Sequence, residues 1–196
     1  AAEARKLLDP LVIGSDVEID DRAALATALS VLARAETFRG NRTDAVTAAT
    51  RAQGTLLELS NTNPQAPRFQ AQLSSVYLLR AELALDGEEW DSVEDFARRA
   101  QDLLLALFSS GTSVTDHRPA YARSLYLLAF VHQQRREWNG AIQLAEQAVP
   151  YLEQVLAGSL DEPLHSQYAG QLEEVRRLIS EAKLGARAAD GTPRVD

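Results

Sequence analysis

The chain has 196 residues, 45% of them hydrophobic and 24% charged, with a formal net charge of −8. That length suits one well-buried domain, and the acidic balance argues against a nucleic-acid surface, which needs a basic stripe to neutralise phosphates. With no cysteine, disulfides, thiolate chemistry and cysteine-ligated zinc are excluded, and no apolar run approaches the ~18–20 residues that span a bilayer.

In chain order, Ala1 to Leu8 reads as a short helical piece closed by Asp9 and Pro10. Gly14 to Asp21 follows as a loop whose aspartates are N-cap candidates. Leu25, Leu29, Leu32, Ala33 and Glu36 then trace a helical face up to Arg39, where Gly40-Asn41 breaks it. A second helix carries Ala45, Ala49, Ala52, Leu56 and Leu57 as a core stripe, and Ser60 to Pro67 makes a linker. The next pair presents Leu73, Tyr77, Ala81 and Ala84, ending near Asp86-Gly87, then Trp90, Val93, Phe96, Ala97, Ala100, Leu103 and Leu104. Ser109 to Thr115 is again a linker, with Asp116 as cap and Pro119 in the first helical turn. Leu125, Leu128, Ala129 and His132 precede Trp138, Ala141, Ala145, Ala148 and Leu152, and Gly158 to Pro163 closes that unit. A last helix, about Leu164 to Leu184, sets Tyr168, Leu172, Val175, Leu178 and Ile179 on one face. The domain organisation expected is therefore a terminal segment 1–14, a helical domain 15–184 and a flexible tail 185–196.

Beneath these elements lies a period. Ala52, Ala100 and Ala148 fall 48 positions apart, as do Ala49, Ala97 and Ala145. A fixed period of that size marks units that stack to share one core. Shifted by the same amount, Ala1 falls under Ala49 and Ala4 under Ala52, so the first residues read either as the tail of a preceding repeat or as a frayed terminal helix. Low aromatic content (6%) agrees with close helix packing rather than a sheet sandwich. The lack of any methionine points to a fragment or a processed product, and 18 Arg against two Lys to a GC-rich, bacterial genome.

These residues resemble the tetratricopeptide repeat. The third unit matches best, with Leu125, Leu128, Ala129 and His132, then Trp138, Ala141, Ala145 and Ala148. The second departs at Arg80, where leucine is usual, and the first at Arg42, which replaces the turn aromatic. Each unit exceeds the usual length of about 34 residues by roughly 14. The extended period is similar to arrays in bacterial multidomain signalling proteins, often attached to serine/threonine kinases. The resemblance implies an all-α fold: a right-handed superhelical solenoid of antiparallel helix pairs, about three repeats with a C-terminal capping helix. It also implies a concave groove for a peptide segment, displaying Ser30, Arg34 and Phe38, then Leu78, Glu82 and Leu85, then Tyr126, Phe130 and Gln133. The alternative for these residues is inward packing, since an apolar stripe at helical spacing is commonly core.

No catalytic constellation emerges. His117, His132 and His165 are scattered and fit no zinc signature, and His132 reads as a packed interface residue. Ser109 to Ser113 lacks the phosphate-cradle pattern, and Glu88, Glu89, Asp91, Glu94 and Asp95 suit a helix start better than acid–base work. The expectation is a non-catalytic protein-interaction or assembly module of a larger bacterial regulatory protein, without a cofactor, nucleic-acid partner or membrane insertion of its own. A sensor domain regulating a linked kinase or transcription regulator is the alternative, and a homodimer through an exposed repeat end is a further expectation. The compartment is cytoplasmic by default, with an extracytoplasmic sensor region as the other reading.

Overall fold

Residues 19–110, 117–158 and 161–190 are described by the computed structural model, and they form seven α-helices with no strand among them. These are α1 (Ile19–Phe38), α2 (Arg42–Thr62), α3 (Pro67–Leu85), α4 (Trp90–Ser109), α5 (Arg118–Gln134), α6 (Trp138–Leu156) and α7 (Glu162–Ala189). The segment 1–14 with its Ala1 to Leu8 piece, and the expected cap Asp116, lie outside the described residues.

Each helix packs against the next in sequence, and the odd-numbered helices α1, α3, α5 and α7 also touch in succession. The reason is the alanine pattern. Ala45, Ala49 and Ala52 of α2, Ala97 and Ala100 of α4, and Ala141, Ala145 and Ala148 of α6 are all fully buried, with Val93 filling the remaining place. Small residues at four and three spacing let two backbones approach, and Leu56, Leu104 and Leu152, one period apart and fully buried, fill the flanking space. Each such leucine contributes about 1.5–3 kcal/mol by leaving water.

Three turns repeat the same backbone. Gly40, Glu88 and Arg136, again 48 apart, have φ of 76°, 56° and 61°. The following residue then donates its N–H to the carbonyl five positions back: Asn41 to Glu36 at 2.9 Å, Glu89 to Ala84 at 3.0 Å, Glu137 to His132 at 2.8 Å. This is the Schellman closure of a helix end, which needs one left-handed residue. Glycine takes that conformation freely, whereas Glu88 and Arg136 do so against the Cβ–carbonyl clash.

Several boundaries differ from expectation. α1 begins at Ile19, so Asp20 and Asp21 occupy its first turn rather than its cap, and Asp20 accepts from Arg68 at 2.6 Å. α2 continues through Thr62, which shortens the linker to 63–66 before Pro67 opens α3. Leu57 is exposed, and Leu59, its neighbour but one, takes the core place. α7 runs on to Ala189, past the Leu184 end read from sequence, and Gly185 sits within it against the Trp138 ring, where a Cβ would stand 2.7 Å away. The helix is capped at its start by Asp161, whose Oδ1 accepts from the Leu164 N–H at 3.0 Å.

Candidate partner-binding face

The face in question is formed by the odd helices, and the 48-residue register aligns its rows. Thr27, Ser75, Arg123 and Gln171 make one row, and Ser30, Leu78, Tyr126 and Glu174 the next. Arg34, Glu82, Phe130 and Leu178 make a third, and Thr37, Leu85, Gln133 and Glu181 a fourth. Phe38 is one place out of step with Leu85 and Gln133; Thr37 is the residue in register.

The nine sequence-read residues fall into two sets. Towards α5 and α7 the face is closed. Leu78 and Tyr126 are buried in the main core, and Leu85 and Phe130 pack against it. Burial raises the Tyr126 phenol above its ordinary pKa, with the Glu174 carboxylate adding to the effect. Glu82 is taken up by Arg123, whose Nε donates to Glu82 Oε1 at 2.9 Å and whose Nη1 donates to Glu174 Oε2 at 3.3 Å. One guanidinium thus ties α3, α5 and α7 together, and it also lies 5.0 Å over the Tyr126 ring. Gln133 donates to Glu181 at 3.0 Å, a second link from α5 to α7.

Towards α1 the face is open. Ser30 is half-buried, and Arg34 and Phe38 are exposed. A cleft of about 130 Å³ lies between α1 and α3, lined by Arg34, Thr37, Phe38, Leu79, Glu82, Leu83 and Asp86. A second, of about 160 Å³, adjoins it through Arg34 and Leu79 and adds Thr27, Ser30, Leu56, Gln72, Ser75 and Val76. Gln72 reaches Thr27 Oγ1 with its Nε2 at 3.4 Å, while its Oε1 is buried and accepts from no group among the described residues. Arg34 makes no ion pair among the described residues, unlike Arg22, Arg39, Arg42 and Arg68 around it. The two adjoining clefts therefore offer a guanidinium without an ion pair among the described residues, an unmet amide acceptor and the four hydroxyls of Thr27, Ser30, Thr37 and Ser75.

Sequence reasoning missed Thr27, Gln72, Ser75 and Arg123. The signal for three of them was the register row Thr27–Ser75–Arg123; Gln72 has no such marker.

The two departures from the repeat pattern have local accounts. Arg42, in place of tryptophan, reaches across to α3, where its Nη2 donates to the Leu83 carbonyl at 3.2 Å and pairs with Glu89. Arg80, in place of leucine, lays its guanidinium 4.1 Å over the Phe96 ring and donates to Gln53 Oε1, and burial lowers its pKa. His132 is about three-quarters buried in α5 beside Gly140, its Nδ1 2.6 Å from Glu137 Oε2 without the alignment of a hydrogen bond. The acidic start of α4 is an ion-pair network: Asp91 and Glu94 both accept from Arg135 at 2.5 Å, and Asp95 holds Arg99. Hydrogen bonds from Arg98 and then Arg135 keep the Glu94 carboxyl below its ordinary pKa. No helix among the described residues is long and apolar enough to cross a membrane.

Comparison with known proteins shows the fold and stops there. No family model matches the chain, and no curated protein matches it. Among solved structures, BtubC (BKLC) from P. vanneervenii superposes with a TM-score of 0.60, covering 98% of this chain and 75% of that one at 16% identity. The likeness is one of helical architecture.

Proposed function

We propose that the chain is a tetratricopeptide-like solenoid of three helix pairs and a capping helix, and that it works as a non-catalytic module holding a segment of a partner protein within a larger bacterial signalling or regulatory protein. Three turns of the same backbone form one period apart and odd helices touching in succession support the repeat reading. The observation that carries the interaction reading is the continuous α1–α3 cleft, with Arg34 unpaired and Gln72 Oε1 unmet among the described residues.

An extended segment suits those walls. Its main-chain N–H groups can donate to Gln72 and to the hydroxyls of Thr27, Ser30 and Ser75, and a carboxylate side chain can take Arg34. Both clefts open to solvent, which fits a long ligand laid along them better than a small molecule enclosed as a sensed signal. The binding face is correspondingly shifted: it lies on the first repeat and its junction with the second, not around Tyr126 and Phe130.

Selection from a random peptide display library, followed by titration of the selected peptides, tests this reading. Arg34→Glu and Ser75→Arg are expected to weaken binding by roughly tenfold or more, the loss of one good charged contact, with helical circular dichroism unchanged. Selected peptides that bind both variants as tightly as the parent would remove the cleft from consideration.

A further inference from the structure

The two clefts between α1 and α3 form one trough. Its first part is walled by residues 27–34 of α1 and 72–79 of α3, its second by 34–38 and 79–86. Numbers rise together on both walls, so the two helices run side by side in the same direction, and Thr27 to Phe38 spans about 16 Å. Two charged residues of this trough have no ion pair among the described residues: Arg34, near its middle, and Asp86, at its far end.

The charges around Asp86 are engaged elsewhere. Glu82, one helical turn before it, is held by Arg123 at 2.9 Å, and Arg42 donates to the Leu83 carbonyl and pairs with Glu89. Asp86 itself stands at the C-cap of α3, where the helix dipole disfavours a carboxylate, and no ion pair among the described residues offsets that cost. Arg42 shows that this helix end accepts a guanidinium. In the 48-residue register Arg34 corresponds to Glu82, so Asp86 lies one turn, about 6 Å, beyond the level of Arg34. An extended chain advances about 3.3 Å per residue and turns alternate side chains to the same face, so residues i and i+2 of such a chain meet these two levels.

We infer that the trough takes a partner segment carrying an acidic and a basic side chain two residues apart, the carboxylate on Arg34 and the ammonium or guanidinium on Asp86. Leu79, Leu83 and Phe38 give the methylene stem of the basic side chain an apolar wall. The inference rests on the partner-segment reading above and adds to it a cation subsite, which that reading does not require.

The test uses peptides selected from the display library on the parent chain, each made also with its basic residue replaced by glutamine and by glutamate. A lysine at position 86 suits the helix end, so Asp86→Lys keeps the fold, which circular dichroism checks. Asp86→Lys is expected to weaken the unaltered peptides by roughly fivefold or more, to leave the glutamine versions unchanged, and to bind the glutamate versions more tightly than the parent chain does. Asp86→Asn is expected to cost the unaltered peptides about two- to fivefold, an effect that shrinks in 1 M salt. Selected peptides without a basic residue two places from an acidic one overturn the inference. Peptides that lose affinity with Arg34→Glu yet bind both Asp86 variants as tightly as the parent overturn the cation subsite alone and leave the cleft reading standing. Peptides indifferent to Arg34→Glu and Ser75→Arg as well remove both.

Discussion

Asn41 holds Glu36 twice: its backbone N–H donates to the Glu36 carbonyl at 2.9 Å, and its Nδ2 donates to the Glu36 carboxylate at 2.7 Å. The Arg39 guanidinium adds a contact at 3.2 Å, so a carboxylate that is only 1% exposed has its charge met at the α1–α2 turn. The hydrogen bond from Asn41 is the leading reason that the Glu36 pKa lies below its ordinary value; burial works in the opposite direction and loses.

A depressed carboxyl pKa has a definite consequence for pH. The contribution of Glu36 to stability is fully present above its unfolded pKa, near 4.3, and is lost as pH falls through the lower folded value. Asn41→Ala should therefore lower the melting temperature clearly at pH 7, and the gap between variant and parent should close as pH drops below about 4. Thermal melts followed by circular dichroism from pH 3 to 7 check it; a gap that stays constant across that range would contradict the account.

The three left-handed turn residues predict opposite responses to glycine. Glu88→Gly and Arg136→Gly remove the Cβ clash and should each stabilise the fold by up to about 1 kcal/mol. Gly40→Ala should destabilise it by about 1 kcal/mol, although no neighbouring atom stands within 4 Å of the new methyl group. Urea denaturation of the three variants measures this, and a destabilising Glu88→Gly would show that the side chain does something there beyond occupying the turn.

Helical glycines divide in the same spirit. Gly54 in α2 and Gly170 in α7 have open space where a Cβ would go, so alanine at either should stabilise by about 0.5–1 kcal/mol through helix propensity. At Gly185 the new Cβ would lie 2.7 Å from the Trp138 ring, which must move. Gly185→Ala is expected to forfeit the propensity gain and to shift tryptophan emission, whereas Gly54→Ala leaves the emission unchanged.

The Arg123 bridge is half-exposed, and its worth is correspondingly small. A double-mutant cycle on Arg123→Met and Glu82→Gln should give a coupling of about 0.2–1 kcal/mol at low salt, falling towards zero in 1 M salt. Coupling that persists at high salt would mean that packing over Tyr126, rather than charge, holds the side chain in place.

The helices, their pairing and their repeat were legible because each is written locally. Alanine spacing at 49, 52, 97, 100, 145 and 148 survives any single substitution elsewhere, and glycine or proline marks several ends. What the chain alone could not decide is which face of an odd helix remains open. Ser30, Leu78 and Tyr126 hold the same register, yet Leu78 and Tyr126 are buried with the main core while Ser30 lines a cleft. That difference arises from neighbours far away in sequence: Arg123 draws in Glu82 and Glu174, Gln133 draws in Glu181, and among the described residues nothing comparable spans α1 and α3 at Arg34. Likewise, Glu88 and Arg136 carry no local sign of a left-handed backbone; the helices on either side impose it by closing on their shared alanine contacts. Periodicity determined the architecture, because it records which residues must be small. Tertiary contact decided which part of the odd-helix face stays open, because whether a side chain is free depends on what else reaches it.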